Sequence, residues 1–158
     1  MYDKQLNLIS SLYKYDGEYM TTYSITTFIK SYFKSFENLR IFNPFAGAGS
    51  FLTDINNSNT IHAQEINSKT WAIGQLRLFL NKSTSVFTCE DSIVQWPKNK
   101  KFDLIVSHPP FHVKLKDEFL YKKRNTSIDN FILNNSINCL SESGKALFVL
   151  PVSTLFNG

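Results

Sequence analysis

The sequence predicts an α/β fold in which a parallel sheet is covered by helices on both faces. Short apolar runs of strand length alternate with longer segments of helical periodicity, which is the order of parallel strands joined by crossover helices. Several of the apolar runs end in glycine-rich, acidic or proline-rich segments. Because the carboxyl ends of parallel strands meet at one edge of a sheet, these segments are expected to form one ligand site.

The predicted elements follow one another along a chain of 158 residues. The predicted helices are 3–14, 22–36, 50–56, 68–81 and 127–141, and the predicted strands are 39–43, 60–65, 85–89, 103–107 and 145–150. A turn at 15–17 separates the first two helices, and a short polar helix is expected after Asp91. Gly144 is expected to stop the last helix, because glycine commonly follows a helix end. The longest irregular segment is 112–126.

Composition indicates a folded protein without a membrane segment. Hydrophobic residues make up 42% of the chain and charged residues 19%, as is typical of globular proteins. No apolar run approaches the roughly 20 residues that span a bilayer, and the amino terminus does not resemble a signal peptide. Cys89 and Cys139 lie far apart without a CxxC pair, so free thiols and a cytoplasmic location are expected. No metal is expected, because His62, His108 and His112 are too scattered for a metal site.

The first ligand-type segment follows the apolar strand that ends at Phe42. It is Asn43-Pro44-Phe45-Ala46-Gly47-Ala48-Gly49-Ser50, and its small residues allow a ligand to approach the backbone before a helix begins. Glu65 ends the second strand, about twenty positions beyond Asn43, where Rossmann-type sites place an acidic residue on ribose hydroxyls. A nicotinamide site is disfavoured because Leu52 stands at the third glycine position, and no Gly-Lys-Ser/Thr sequence supports a P-loop.

The third and fourth strand ends carry groups suited to a nucleobase. Asp91 is placed to meet an adenine ring, although it can also be the charge at a helix N-terminus. His108-Pro109-Pro110-Phe111 ends the fourth strand, because each proline lacks an N–H and has a fixed φ. The turn presents rigid acceptors beside a flat ring, which suits a flipped-out base. Taken singly, His108 can be a structural histidine, Phe111 a core residue, Glu65 a surface carboxylate and the glycine pair part of a simple turn.

These segments resemble the N-6 adenine-specific DNA methyltransferases of the gamma order, and most of all the modification (M) subunit of type I restriction-modification systems. The resemblance rests on NPFAGAGSFL, AQEINSKTWAIGQLRLFLN, CEDSI and FDLIVSHPPFHVK. Residues 17–21 resemble the family's G-x-x-x-T-P element, with Thr22 in place of its proline, and 144–151 resemble the strand and proline that follow the catalytic turn. The resemblance implies a Rossmann-like, SAM-dependent methyltransferase fold that is truncated after the fifth strand. Residues 1–36 are expected to be helices packing on the cofactor site and 37–158 the core of one compact domain.

The resemblance also implies roles for individual residues. The cofactor is S-adenosyl-L-methionine, and its expected ligands are Thr21, Asn43, Phe45, Gly47, Gly49, Glu65, Ile66, Asp91 and Ser92. The catalytic turn is His108, Pro109, Pro110 and Phe111, in which the His108 side chain and the Pro109 carbonyl accept the amine hydrogens and Phe111 stacks on the base. The family usually has Asn or Asp at position 108 and Asp or Glu at position 43, whereas this chain has His108 and Asn43. Each replacement keeps one acceptor atom.

The expected function is transfer of a methyl group from S-adenosylmethionine to the N-6 amine of a flipped adenine in DNA, within a restriction-modification system. Basic residues after the catalytic turn are expected to contact DNA phosphates, although a solvated loop is the alternative: Lys114, Lys116, Lys122, Lys123 and Arg124. The resemblance implies a separate specificity subunit and a second modification subunit as partners. Two alternatives stay open: a non-catalytic cofactor-binding or scaffold subunit, and a methyltransferase acting on RNA or on a protein amide.

Overall fold

A computed structural model of the chain describes residues 21–33, 35–53, 55, 58–111, 113–115 and 126–156. Its helices are α1 (Tyr23–Phe33), α2 (Ser68–Leu80) and α3 (Ile128–Cys139). Its strands are β1 (Arg40–Asn43), β2 (Thr60–Glu65), β3 (Val86–Cys89), β4 (Phe102–Ser107), β5 (Lys114–Leu115), β6 (Thr126–Ser127) and β7 (Leu140–Phe148), and a 3₁₀ turn follows at Val152–Leu155. The predicted helix at 3–14 and turn at 15–17 lie outside the described residues. The division of the chain into amino-terminal helices at 1–36 and a core at 37–158 stays a prediction.

Five strands form one parallel sheet in the order β3-β2-β1-β4-β7. In the central strand β1, Phe42 pairs with His62 of β2 on one side and with Ile105 of β4 on the other. The chain first runs outward from β1 to β2 and β3 and then returns to β4 on the opposite side. A crevice forms at the carboxyl edge of such a switch point. The predicted parallel sheet is therefore confirmed.

Apolar side chains cover both faces of this sheet. Ile41 of β1 packs on one face with Ile29 of α1 and Leu78 of α2. Phe42 packs on the opposite face with Phe131 of α3. Burial on both faces explains the consecutive apolar residues of the central strands β1 and β4. In the described part of the chain, no helix combines the length and the apolarity needed to cross a membrane.

Turns replace two of the predicted helices. The predicted helix at 50–56 is wrong over the described residues 50–53, which form turns and bends. Gly49, just before this segment, has a φ of 73°, outside the range of a right-handed helix. Two successive i to i+3 turns follow the chain here, since the Gly49 N–H donates to the Ala46 carbonyl and the Leu52 N–H to the Gly49 carbonyl, each at 3.0 Å. The short polar helix expected after Asp91 is a single turn, closed by a bond from the Gln95 N–H to the Asp91 carbonyl.

Gly144 lies inside β7 rather than just past a helix. α3 ends at Cys139, and β7 begins at the next residue. The register of β7 against β4 shifts between Phe102 and Leu104, and a Cβ at Gly144 would lie 2.8 Å from the Phe102 carbonyl oxygen. The glycine is therefore required by close backbone approach at a strand irregularity, and the prediction that it stops the helix is wrong.

An ion pair joins the amino-terminal ends of β1 and β4. The Arg40 guanidinium donates to both carboxylate oxygens of Asp103, each at 3.0 Å. The Ser141 hydroxyl donates to the same carboxylate at 2.8 Å. The Arg40 guanidinium holds the pKa of Asp103 well below its usual range. This network joins neighbouring strands at the amino-terminal edge of the sheet. The ligand-type residues lie at the opposite, carboxyl-terminal edge.

Candidate active site

A cleft of about 260 Å³ lies at the carboxyl edge of the sheet. Nine of the residues predicted to bind the cofactor or to act in catalysis line it: Thr21, Phe45, Gly47, Glu65, Ile66, Asp91, Ser92, His108 and Pro110. Ten further lining residues were not assigned individual roles from the sequence: Pro44, Ala46, Ala48, Ser50, Phe51, Thr70, Glu90, Ile93, Val113 and Ile128. Segments from four strand ends therefore meet in one cavity.

The glycine turn after β1 forms one wall of the cleft. Gly47 and Gly49 have φ values of 55° and 73°, in the left-handed region that other residues rarely adopt. The Ala46 N–H donates to the Gln64 carbonyl at 2.9 Å, which fixes the turn against the end of β2. A Cβ built on Gly47 meets no atom within 4 Å, so the backbone there borders open space. A ligand can therefore approach this part of the backbone closely.

A buried arginine supports the glycine turn from behind. Arg77 of α2 is 1% exposed. Its Nη1 donates to the Ala48 carbonyl at 2.5 Å and to the Ser50 hydroxyl at 2.9 Å. Gly74, one helical turn earlier, lets α2 pack on the same segment, because a Cβ there would lie 3.3 Å from the carbonyl carbon of Ala48. No sequence pattern identified Arg77, since an arginine on a helix is normally exposed.

Glu65 connects the glycine turn to α2. Its Oε2 accepts a hydrogen bond from the Gly47 N–H at 2.9 Å, and its Oε1 accepts one from the Asn67 N–H at 2.8 Å. The side chain of Asn67 in turn caps α2 by accepting from the N–H groups of Lys69 and Thr70. The carboxylate is 8% exposed and lines the cleft. It therefore shapes the turn in addition to any contact with a ligand.

The end of β3 forms the next part of the wall. Asp91 Oδ1 accepts a hydrogen bond from the Ile93 N–H at 2.8 Å, which closes the turn after the strand. The Ser92 hydroxyl donates to the Pro44 carbonyl and so joins this turn to the glycine segment. Glu90 Oε2 accepts from the side chains of Gln64 at 3.0 Å and Thr88 at 2.9 Å. Two acidic side chains of this turn therefore border the cleft.

His108 lies across the cleft at the end of β4. Its Nδ1 is 2.8 Å from the hydroxyl oxygen of Thr21, the residue that leads into α1. Its ring centroid is 5.0 Å from that of Phe111, with the two planes at 61°. Burial lowers the pKa of His108 below its ordinary value of 6.5. The imidazole is therefore neutral at pH 7 and keeps one nitrogen as a hydrogen-bond acceptor.

Some predicted site residues do not border the cleft. Asn43 and Pro109 are buried, Gly49 packs against Gly74 of α2, and Phe111 lies beside His108. Sequence spacing predicts which strand end a residue follows but not which way its side chain points.

Four predicted DNA contacts lie outside the described residues, namely Lys116, Lys122, Lys123 and Arg124, and Lys114 is described only as backbone of β5. Among the described residues no cluster of histidine, cysteine or carboxylate side chains could hold a metal ion.

A comparison with protein families decides the broad assignment. The model of the family described as N-6 DNA methylase matches residues 1–158. The chain belongs to the N-6 DNA methylase family. It is therefore a member of a methyltransferase family, as the sequence predicts. No curated protein matches the chain.

Solved structures share the fold at low sequence identity. A type I restriction-modification methyltransferase subunit from Streptococcus thermophilus superposes with a TM-score of 0.75 and 17% identity, over 89% of this chain and 36% of its own. A protein from Vibrio vulnificus described as a modification subunit of a type I restriction enzyme superposes with a TM-score of 0.75 and 18% identity, over 99% of this chain and 39% of its own. A protein from Listeria monocytogenes described as a class I S-adenosylmethionine-dependent methyltransferase superposes with a TM-score of 0.78 and 14% identity, over 98% of this chain and 54% of its own. The predicted methyltransferase fold is confirmed, and the chain spans about a third to a half of each of these proteins.

Proposed function

We propose that this chain is a DNA adenine N-6 methyltransferase that acts in a restriction-modification system. One observation carries the proposal: the same cleft is lined by the glycine turn with its carboxylates and by the His108 turn. A methyl donor held by the first wall and an amine held by the second would lie in one cavity, as direct transfer requires. Membership in the N-6 DNA methylase family supports the reaction and the kind of substrate.

S-adenosyl-L-methionine is the cofactor that the first wall fits. The backbone at Gly47 borders open space, so a ligand can lie against it. Glu65 offers carboxylate oxygens to ribose hydroxyls, and Asp91 offers them to the adenine amine. Ile66 and Ile93 supply apolar surface for the adenine ring. When bound, this cofactor supplies an electrophilic methyl group on a sulfonium.

The His108 turn supplies what an aromatic amine needs in order to react. The lone pair of such an amine is delocalised into the ring, so it is a poor nucleophile until acceptors engage its N–H bonds. A neutral His108 offers one ring nitrogen as an acceptor, and its lowered pKa keeps it neutral at physiological pH. The Pro109 carbonyl is the proposed second acceptor, a role that requires the buried Pro109 to become accessible to the substrate. Fixed groups of this kind lower the barrier without a covalent intermediate.

The nature of two similar proteins supports the wider assignment. Both the Streptococcus and the Vibrio proteins are described as subunits of type I restriction systems. We therefore propose DNA as the substrate and a specificity subunit and a second modification subunit as partners. Phe111 is the proposed stacking surface for the flipped base, a contact worth roughly 1–3 kcal/mol.

Binding and transfer, measured separately, test the proposal. Calorimetry with S-adenosylmethionine measures the cofactor site, and tritiated methyl transfer to a single-stranded oligonucleotide containing adenine measures catalysis without the cost of base flipping. An oligonucleotide with hypoxanthine in place of adenine has no exocyclic amine and is the substrate control. His108→Ala should abolish transfer, whereas His62→Asn, in β2 and away from the cleft, should not.

The outcomes separate the candidate functions. Adenine-dependent transfer that requires His108 supports the proposal. Cofactor binding without transfer to any nucleic acid, even with partner subunits supplied, would instead favour a scaffold role. Faster transfer to RNA or to a protein amide in direct competition with DNA would favour the other alternative.

A further inference from the structure

The contact between Thr21 and His108 bears on which nitrogen of the imidazole can act as an acceptor. Thr21 lies two residues before α1 and reaches across the cleft to Nδ1 of His108 at 2.8 Å. Among the residues that the structure describes, Nδ1 is the ring nitrogen with a hydrogen bond, and Nε2 has none. Both side chains line the cleft. The free nitrogen therefore belongs to a ring that borders the ligand cavity.

A neutral imidazole has one donor nitrogen and one acceptor nitrogen, so the partner of Nδ1 decides the role of Nε2. If the Thr21 hydroxyl donates to Nδ1, Nε2 carries the proton and cannot accept from an amine. If Nδ1–H donates to the Thr21 oxygen, Nε2 keeps its lone pair. An asparagine at the same place would not face this choice, because its amide oxygen is always an acceptor. A histidine here needs a group that selects its tautomer.

We propose that the Thr21 hydroxyl oxygen accepts a hydrogen bond from Nδ1–H and so fixes His108 in the tautomer whose Nε2 accepts from the target amine. This inference deepens the proposed function and depends on it for the acceptor role of Nε2. Thr21 is then a positioning residue, because it acts on the substrate through His108. Its hydroxyl keeps its own proton and can donate it to a second acceptor in the cleft.

The surroundings of His108 agree with this assignment. The two residues that follow it are prolines, which have no N–H, so neither can donate a backbone hydrogen bond to the imidazole or to a substrate. The turn is thus poor in donors and rich in acceptors. Burial also lowers the pKa of His108, so that the neutral ring, for which the tautomer matters, is the form present at pH 7.

Nitrogen NMR of the full chain, labelled with ¹⁵N-histidine and free of cofactor and DNA, tests the tautomer directly. His108→Asn identifies the signals. Above its pKa, wild-type His108 should show a protonated Nδ1 and an unprotonated Nε2. Thr21→Ser should keep this pattern because it keeps the hydroxyl, and Thr21→Val should shift the ring toward the Nε2–H tautomer. A wild-type ring protonated on Nε2, or no difference between wild type and Thr21→Val, would overturn the proposal.

Kinetics then link the tautomer to catalysis. At saturating cofactor, Thr21→Val should lower kcat by about tenfold or more, because a wrongly protonated catalytic histidine is severely impaired. Thr21→Ser should restore the rate, and Thr21→Val should cost nothing further in a His108→Asn background, which has no tautomer to select. An equal loss in both backgrounds would overturn the link. A protein with the expected tautomer but no methyl transfer to any substrate would refute the proposed function and leave the hydrogen bond assignment intact.

Discussion

Substitution of Glu65 should destabilise the protein even when no cofactor is bound. The carboxylate accepts hydrogen bonds from the backbone N–H groups of Gly47 and Asn67, and it is 8% exposed. In Glu65→Gln one carboxylate oxygen becomes an NH₂ group, which faces one of these N–H groups as a second donor. One buried N–H then loses its partner, at a cost of about 1–3 kcal/mol.

Glu65→Ala removes both acceptors and leaves both N–H groups without this partner. The free energy of unfolding, measured by urea denaturation without cofactor, should therefore decrease from wild type to Glu65→Gln to Glu65→Ala. Calorimetry should show weaker binding of S-adenosylmethionine in the same order, because the glycine turn loses hydrogen bonds to residue 65 and the ribose loses its proposed acceptor.

Glu90→Gln is the matched control. Glu90 also lines the cleft, but it is exposed and accepts hydrogen bonds from side chains rather than from buried backbone N–H groups. Its effect on the free energy of unfolding should stay within about 0.5 kcal/mol. If Glu65→Gln proved as stable as Glu90→Gln in the absence of cofactor, the carboxylate would not be a structural brace of the glycine turn.

Three further predictions follow from single contacts. Gly74→Ala should lower the free energy of unfolding by about 1–2 kcal/mol, because the new Cβ would lie 2.4 Å from Cε1 of Phe87. This loss is expected although alanine is the better helix former by about 1 kcal/mol. Urea denaturation measures the change, and a stabilised variant would contradict the packing argument. The rate of methyl transfer should decline as the pH falls below about 6.5 and through the lowered pKa of His108, because the protonated ring has no acceptor nitrogen. His108→Asn should lose that decline. A rate that does not change with pH in the active wild-type protein would remove the acceptor role of His108. Asp103→Asn should unfold at a lower urea concentration than wild type at pH 7, and this difference in urea midpoint should narrow as the pH falls below about 4. Arg40 depresses the folded-state pKa of Asp103, so the stability that the carboxylate contributes is present above its unfolded-state pKa and is lost as the pH falls through its folded-state pKa. A difference in urea midpoint that does not change with pH would refute this linkage.

The central strands β1 and β4 were predictable because each has a short apolar centre that is buried. β2 has the predicted bounds, and β4 begins one residue earlier than predicted. The turns at 50–53 were not predictable from apolar periodicity, because periodicity does not report the positive φ of Gly49 immediately before them. A glycine allows a positive φ without requiring it, so the sequence alone leaves both structures open.

The sequence predicted which strand ends meet at the candidate site, but not all of the contacts that hold the site together. Spacing identified Glu65, Asp91 and His108, because each follows a strand whose carboxyl end lies at the switch point. It could not identify Arg77, whose importance comes from burial against the Ala48 carbonyl, a contact between distant parts of the chain. It also could not show that Phe111, although it lies beside the histidine ring, is outside the lining of the cleft.

The two walls of the cleft are held in different ways, and this difference has a consequence for variants. The glycine turn is held by the Glu65 carboxylate, by the Arg77 guanidinium and by the Ser92 hydroxyl, all within the folded core. The opposite wall includes a side-chain hydrogen bond between Thr21 and His108 that crosses the cleft. Substitutions in the first wall should therefore change stability and cofactor affinity together, since the same contacts serve both. Substitutions in the second wall should change the rate of transfer while the free energy of unfolding changes little, because few core contacts are lost.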